Sequence, residues 1–201
     1  MDNGWHKKSS QIIYEDKWLK VHKDIFVSDE NKKEYTLVDR KNSVVVIPLT
    51  HDNKTILQQQ FRMAVLKPFW EFPMGGVESS QTIEEAARRE LEEETNIKPE
   101  SFEHIGGFYP IPGLTSQYAD VFVTHVSADQ LDNLLAKDDT EGIMDYMLLP
   151  VKEVISMVGS GEIIEGFTLM ALMKLIGSEY GNLFSEDFNK CHAKVIGGRL
   201  L

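Results

Sequence analysis

Residues 82–95, TIEEAARRELEEET, bring Glu90, Glu93 and Glu94 together in one short segment that reads as a helix. Thr82 and Glu85 have the form of a capping box, in which the hydroxyl and the carboxylate satisfy each other's backbone donors. From there Ile83, Ala86, Ala87, Glu90, Leu91 and Glu94 fall at i, i+3, i+4, i+7, i+8 and i+11, the core-facing stripe of an amphipathic helix. The first half of that stripe is apolar. The second half puts Glu90 and Glu94 where core residues are expected, with Glu93 at their edge. Inward carboxylates side by side are costly unless they share a proton or bind a cation. All-oxygen ligation of high charge suits a hard ion such as Mg²⁺ or Mn²⁺. A solvated face is the competing reading, because residues 78–94 hold seven Glu against Arg88 and Arg89. Spacing alone leaves both open.

The remaining sequence must position that helix. Residues 10–27 read as one or two strands, a polar turn follows, and Glu34–Arg40 pairs back as another. Ser43–Leu49 contains Val44-Val45-Val46-Ile47, apolar on both faces, which suggests a strand at the sheet centre. Thr55–Phe61 follows a short turn, and a loop with Pro68, Pro73, Gly75 and Gly76 leads to the helix. Strands near 102–109, 119–126 and 143–149 come next, then helical stretches over 151–158 and 165–178, with the tail from Phe184 unassigned. Mixed strands with few helices give an α+β or layered α/β domain. A length of 201 residues suits one domain. The net charge of −11 argues against non-specific nucleic-acid binding, and a small anionic substrate then needs a local cation. No apolar run approaches a membrane span, and the polar N-terminus has no apolar signal core. Cys191 is the single cysteine, so a reducing cytoplasm is the expected location.

Gly75–Ile97, GGVESSQTIEEAARRELEEETNI, closely resembles the Nudix box, G-x5-E-x7-R-E-U-x-E-E-x-G-U with U aliphatic. Gly75, Arg89, Glu90, Leu91, Glu93, Glu94 and Ile97 match. The resemblance implies an α/β class fold, the Nudix α/β/α sandwich with a mixed sheet. It also implies Mg²⁺, with Mn²⁺ as the alternative, held by Glu90, Glu94, Glu93 and the carbonyl of Met74, while Arg89 orients the carboxylates. Two positions depart. Gln81 replaces the first Glu; its amide can still accept a hydrogen bond from Arg89, so lost rigidity with the chemistry intact is expected. Asn96 replaces the closing Gly, and Asn is the next-best residue for a left-handed helix cap.

The similarity extends over roughly Ile12 to Leu175. Gln60-Phe61-Arg62, Glu71-Phe72-Pro73-Met74-Gly75 and the loop Pro112-Gly113-Leu114-Thr115-Ser116 resemble ADP-ribose pyrophosphatases. That subgroup implies diphosphate contact by Arg62, adenine stacking by Trp18 with Tyr35 opposing, and a base or phosphate contact near Arg40. It also places Pro112 and Gly113 at the substrate, and Glu141 or Asp139 in an acidic loop supplying a metal ligand or the catalytic base. Ion pairing is the plainer reading of Arg62, core packing of the aromatics, and solvation of the acidic run. The implied organisation is an N-terminal strand region, residues 1–42, for homodimerisation and base binding, a Nudix domain over 43–183, and a tail over 184–201. The expected reaction is hydrolysis of ADP-ribose or a related nucleoside diphosphate sugar to AMP and a sugar phosphate. A Nudix hydrolase of dinucleotide polyphosphates or an NADH-like nucleotide, or a non-catalytic ADP-ribose sensor, are the alternatives. An isopentenyl diphosphate isomerase would need a core cysteine, whereas Cys191 lies in the tail.

Overall fold

The computed structural model describes residues 4–99, 101–131, 134 and 142–184. Among these, strands β1 (His6–Glu15), β2 (Leu19–Val27) and β3 (Lys32–Arg40) form a separate antiparallel sheet. The main mixed sheet has seven strands: β4 (Ser43–Thr50), β5 (Lys54–Arg62), β6 (Lys67–Glu71), β7 (Met74–Gly76), β8 (Glu103–Phe108), β9 (Ala119–Val126) and β10 (Ile143–Pro150). Its order is β10-β5-β4-β9-β8, with β6 on β5 and β7 on β4. Helix α1 (Ile83–Thr95) covers one face. A short α2 (Ala128–Leu131) follows β9, while α3 (Val151–Ser160), α4 (Gly166–Ile176) and a 3₁₀ turn over Glu179–Phe184 complete the described chain.

Alternation along β4 explains the layers. Val44 and Val46 join Ile56, Ala86, Ala87 and Leu91 on the α1 side, whereas Val45, Ile47 and Leu49 pack with Leu57, Val154, Leu172 and Leu175 on the α3–α4 side. Both faces are buried, as a wholly apolar central strand requires, and the result is an α/β/α sandwich. Leu91 alone, fully buried, contributes about 1.5–3 kcal/mol of burial.

The sheet opens beside β4. Strand β5 meets β4 only at Leu49↔Thr55, while further along β4 pairs with β7 and β5 pairs with β6. The segment read from sequence as a loop therefore fills this opening as two short strands. Pro68 is tolerated because β6 pairs on one side only. α3 also runs further than the sequence suggests, to Ser160, where Gly161 closes it at φ +82.

In the N-terminal sheet, β1 is exposed along its whole length, Ile12, Ile13 and Tyr14 included. A polar network ties its three strands. His22 Nδ1 lies 2.7 Å from Asp24 Oδ1, His22 Nε2 lies 3.2 Å from Asp39, and Lys7 Nζ lies 3.0 Å from Asp24 Oδ2. Burial pushes the Asp24 carboxyl up, but hydrogen bonds from Ser10, His22 and Lys7 outweigh it and hold it at about 2. His22 is raised above its ordinary 6.5, first by Asp24, against the pull of burial. Protonated His22 thus stabilises this sheet fully below its unfolded pKa, and that contribution is lost as pH rises through the folded value. In Asp24→Asn the His22 midpoint, followed by histidine NMR, is expected to fall. An unmoved midpoint would show that Asp24 is not the cause.

Candidate active site

α1 is set by its own ends. Thr82 Oγ1 accepts from Glu85 N at 3.2 Å, and the Glu85 carboxylate accepts from Thr82 N at 2.7 Å, completing the capping box. At the other end Asn96 takes φ 62 and donates its N–H to Glu92 O at 2.8 Å. The left-handed cap is therefore retained without glycine.

Glu90 and Glu94, one turn apart, are both buried on the sheet side of α1, against β7. A Cβ on Gly75 would stand 2.0 Å from Glu90 Cδ, so only glycine lets the backbone approach this carboxylate. Met74 N donates to Glu94 Oε2 at 3.0 Å, and Gln58 Nε2 donates to the same oxygen at 2.9 Å. Arg89 binds Glu90 at 2.7 Å, Glu93 at 2.8 Å and the Gly76 carbonyl at 2.8 Å. Burial works against the Arg89 cation, but Glu90 and Glu93 outweigh it and hold its pKa above the ordinary value.

Gln81 does not serve Arg89. Its Oε1 accepts from Glu78 N at 3.3 Å instead, so the bond that its amide could have made with Arg89 is not formed. The Gly76 carbonyl and two glutamates engage Nη1 and Nη2 of Arg89, its Nε is buried without a hydrogen-bond partner, and Gln81 turns back onto its own loop.

Arg62, at the end of β5, meets Glu71 at the end of β6. Its Nε lies 3.0 and 3.1 Å from the two Glu71 oxygens, and Nη2 donates to Oε2 as well. Glu71 is fully buried, and burial pushes its carboxyl up against the pull of Arg62.

Trp18 stands in the β1–β2 turn and is 66 % exposed. Asp16 Oδ1 accepts from the N–H groups of Trp18 and Leu19 at 2.7 and 2.9 Å, which fixes the turn. Leu19 pairs with Arg40, so Trp18 and Arg40 share one end of the sheet. Tyr35 pairs with Asp24 and packs edge-on against Phe26, with ring centroids 5.9 Å apart. Five residues of strand separate Tyr35 from Arg40, roughly 17 Å at strand rise. Tyr35 therefore does not face Trp18 within one chain.

Backbone contacts connect these parts. Val38 N donates to Leu114 O at 2.9 Å, which docks the Pro112-Gly113 turn onto β3. Val77 N donates to Asn42 O at 2.8 Å, bringing the end of the N-terminal sheet to the start of the glutamate loop. Asp139 and Glu141 lie outside the described residues. Gly142 is described: its carbonyl accepts from Phe61 N at 2.9 Å, next to Arg62.

Sequence reading assigned no role to Glu71, Gln58 or Tyr146. Period-two alternation from Ile56 places Gln58 on the α1 side of β5, and a polar residue at an inward strand position was the available signal.

As it stands, no three His, Cys, Asp or Glu side chains among the described residues converge closely enough to hold a metal ion. The donor set nevertheless fits a hard divalent cation. Two buried carboxylates one helical turn apart flank a single backbone segment, and every candidate donor is oxygen. Arg89 holds Glu90 and Glu93 in this arrangement, so ligation by either shares it with the guanidinium.

An α/β/α layer with a glutamate helix against a Gly-Gly strand defines a class of hydrolase. The NUDIX domain model matches residues 39–165, well over half of the chain, and the chain belongs to the Nudix family. Within it, an ADP-ribose pyrophosphatase of Bacillus subtilis is 29% identical over 161 residues, covering 76% of this chain and 84% of the relative. An ADP-sugar pyrophosphatase of Mus musculus is 31% identical over 163 residues, 74% of each chain. A methanol dehydrogenase activator of Bacillus methanolicus is 26% identical over 152 residues, 76% of this chain and 81% of the relative. Enzymes of this family generally use divalent metals such as Mg²⁺. No helix among the described residues is long and apolar enough to cross a membrane.

Proposed function

We propose that this Nudix hydrolase cleaves the diphosphate of ADP-ribose or a similar nucleoside diphosphate sugar. The observation that carries the reaction is the pair of buried carboxylates, Glu90 and Glu94, held against the Met74–Gly75 backbone. Relatives named for ADP-ribose and ADP-sugars, and an indole left exposed at the Arg40 end of the N-terminal sheet, support the substrate class.

Glu90, Glu94, Glu93 and the Met74 carbonyl are the residues that would hold Mg²⁺, with Mn²⁺ as the alternative. When bound, such an ion supplies positive charge against the diphosphate and makes a water more acidic. Arg89 keeps Glu90 in place. Arg62 commits Nε and one Nη2 hydrogen to Glu71, so Nη1 and the other Nη2 hydrogen are left for a phosphate oxygen. Trp18 stacks on the base, Arg40 lies beside it, and the Pro112-Gly113 turn closes that end. Glu141 deprotonates or positions the water, or Asp139 does. Attack at one phosphorus breaks a P–O bond of the diphosphate, and AMP and a sugar phosphate leave.

The N-terminal strand region, residues 1–42, serves as the dimerisation element in this reading. Exposed Ile12, Ile13 and Tyr14 support it, and so does the separation of Tyr35 from Trp18. A base sandwiched by both rings needs one ring from each of two chains.

The test is product analysis with Mg²⁺ across ADP-ribose, other nucleotide sugars and diadenosine polyphosphates. AMP and ribose 5-phosphate from ADP-ribose are expected, and activity confined to dinucleotide polyphosphates would overturn the substrate. Trp18→Ala should weaken ADP-ribose binding by roughly 1–3 kcal/mol, the range for base–aromatic stacking. Because the indole supports no core, unchanged affinity in a folded variant would remove Trp18 from the site.

A further inference from the structure

Gln58 is fully buried in β5, directly opposite Tyr146 in β10. Both residues grip Glu94. Gln58 Nε2 donates to Oε2 at 2.9 Å, the oxygen that also accepts from Met74 N, while the Tyr146 hydroxyl donates to the Glu94 main-chain carbonyl. The amide orientation follows from chemistry, since the flipped amide would set its oxygen against a carboxylate oxygen, two acceptors together. That orientation leaves Gln58 Oε1 buried with no hydrogen-bond partner. An interior acceptor left in this state destabilises a fold, and methionine would fill similar space without it. Satisfying the buried Glu94 explains the amide nitrogen and leaves the buried amide oxygen unexplained.

We infer that Gln58 is a positioning residue for the proposed reaction: it fixes the Glu94 carboxylate in its cation-holding pose and offers Oε1 to a water of the occupied site. The inference rests on the reading of Glu94 as a cation-holding residue. Two donors on one oxygen select one orientation of a side chain with three rotatable torsions. Partners that orient a ligand in this way commonly change metal affinity 10–100-fold. Tyr146 does the same for the backbone at the end of α1, so adjacent strands place both ends of the residue.

The experiment measures Mn²⁺ binding to the full chain without substrate, by electron paramagnetic resonance of the free ion, for wild type, Gln58→Met and Glu94→Gln. Thermal unfolding of each metal-free protein is recorded alongside. Gln58→Met is expected to bind Mn²⁺ roughly 10–100-fold more weakly, to unfold in one cooperative transition at a Tm below wild type because the buried Glu94 carboxylate loses a donor, and to lose kcat with little change in KM. Wild-type Mn²⁺ affinity in Gln58→Met, beside a loss in Glu94→Gln, would overturn the role of Gln58 and leave the Glu94 reading intact. Wild-type affinity in Glu94→Gln would sink the Glu94 reading itself. If Gln58→Met does not fold, Gln58→Asn, which withdraws the amide by one methylene, is read in the same way. Failure of both to fold would assign Gln58 to the core and overturn the inference.

Discussion

Glu94→Gln and Glu90→Gln are each expected to lower turnover with Mg²⁺ by roughly 100-fold or more, since even the outer partners of a metal ligand cost 10–100-fold. The fold should survive. An amide is nearly the same size as a carboxylate, and in Glu94→Gln the amide oxygen can still accept from Gln58 and Met74. Glu90 meets Arg89 and the open face of Gly75, contacts that an amide also tolerates. The lost property is charge at an oxygen that binds a hard cation. Steady-state kinetics beside circular dichroism decides the matter, and near wild-type turnover in either variant would show that its carboxylate holds no metal.

Arg62→Met is expected to produce the largest loss of stability among the site variants. Glu71 is fully buried, and Arg62 is its bidentate partner. Removing one member of a buried pair typically costs about 3–5 kcal/mol. Arg62 is itself 38% exposed, so screening by water favours the lower end, about 3 kcal/mol. The loss should depend on pH. Burial already raises the Glu71 pKa above its unfolded value of 4.5, and without Arg62 it rises further. An acid with a raised folded pKa contributes stability below its unfolded pKa and loses it as pH rises through the folded one. Denaturant unfolding should therefore show a larger deficit at about pH 8 than at about pH 5, and Arg62→Met/Glu71→Gln should recover much of it. An equal deficit at both pH values would mean that the Glu71 charge is not what Arg62 neutralises.

What the sequence by itself determined was the site helix and the central strand, whose signals lie in nearby residues. Helix α1 was legible because its signals lie within one segment: Thr82 and Glu85 close the first turn, Asn96 closes the last, and the inward stripe names Glu90 and Glu94. The central strand was legible because Val44–Leu49 leaves no polar side to face water. Strands β6 and β7 were not. Each is five residues or fewer, prolines interrupt the segment, and their hydrogen bonds go to β5 and β4, which no local pattern reveals. Tertiary structure decided the long-range partners of the polar and charged groups. Arg89 turned to the Gly76 carbonyl and away from Gln81, and Arg62 acquired Glu71 where the sheet opens beside β4. Gln58 came to hold Glu94, a residue thirty-six positions later in the chain. Long polar side chains have many rotamers and several acceptors within reach, so their choice depends on which backbone groups the fold has already consumed.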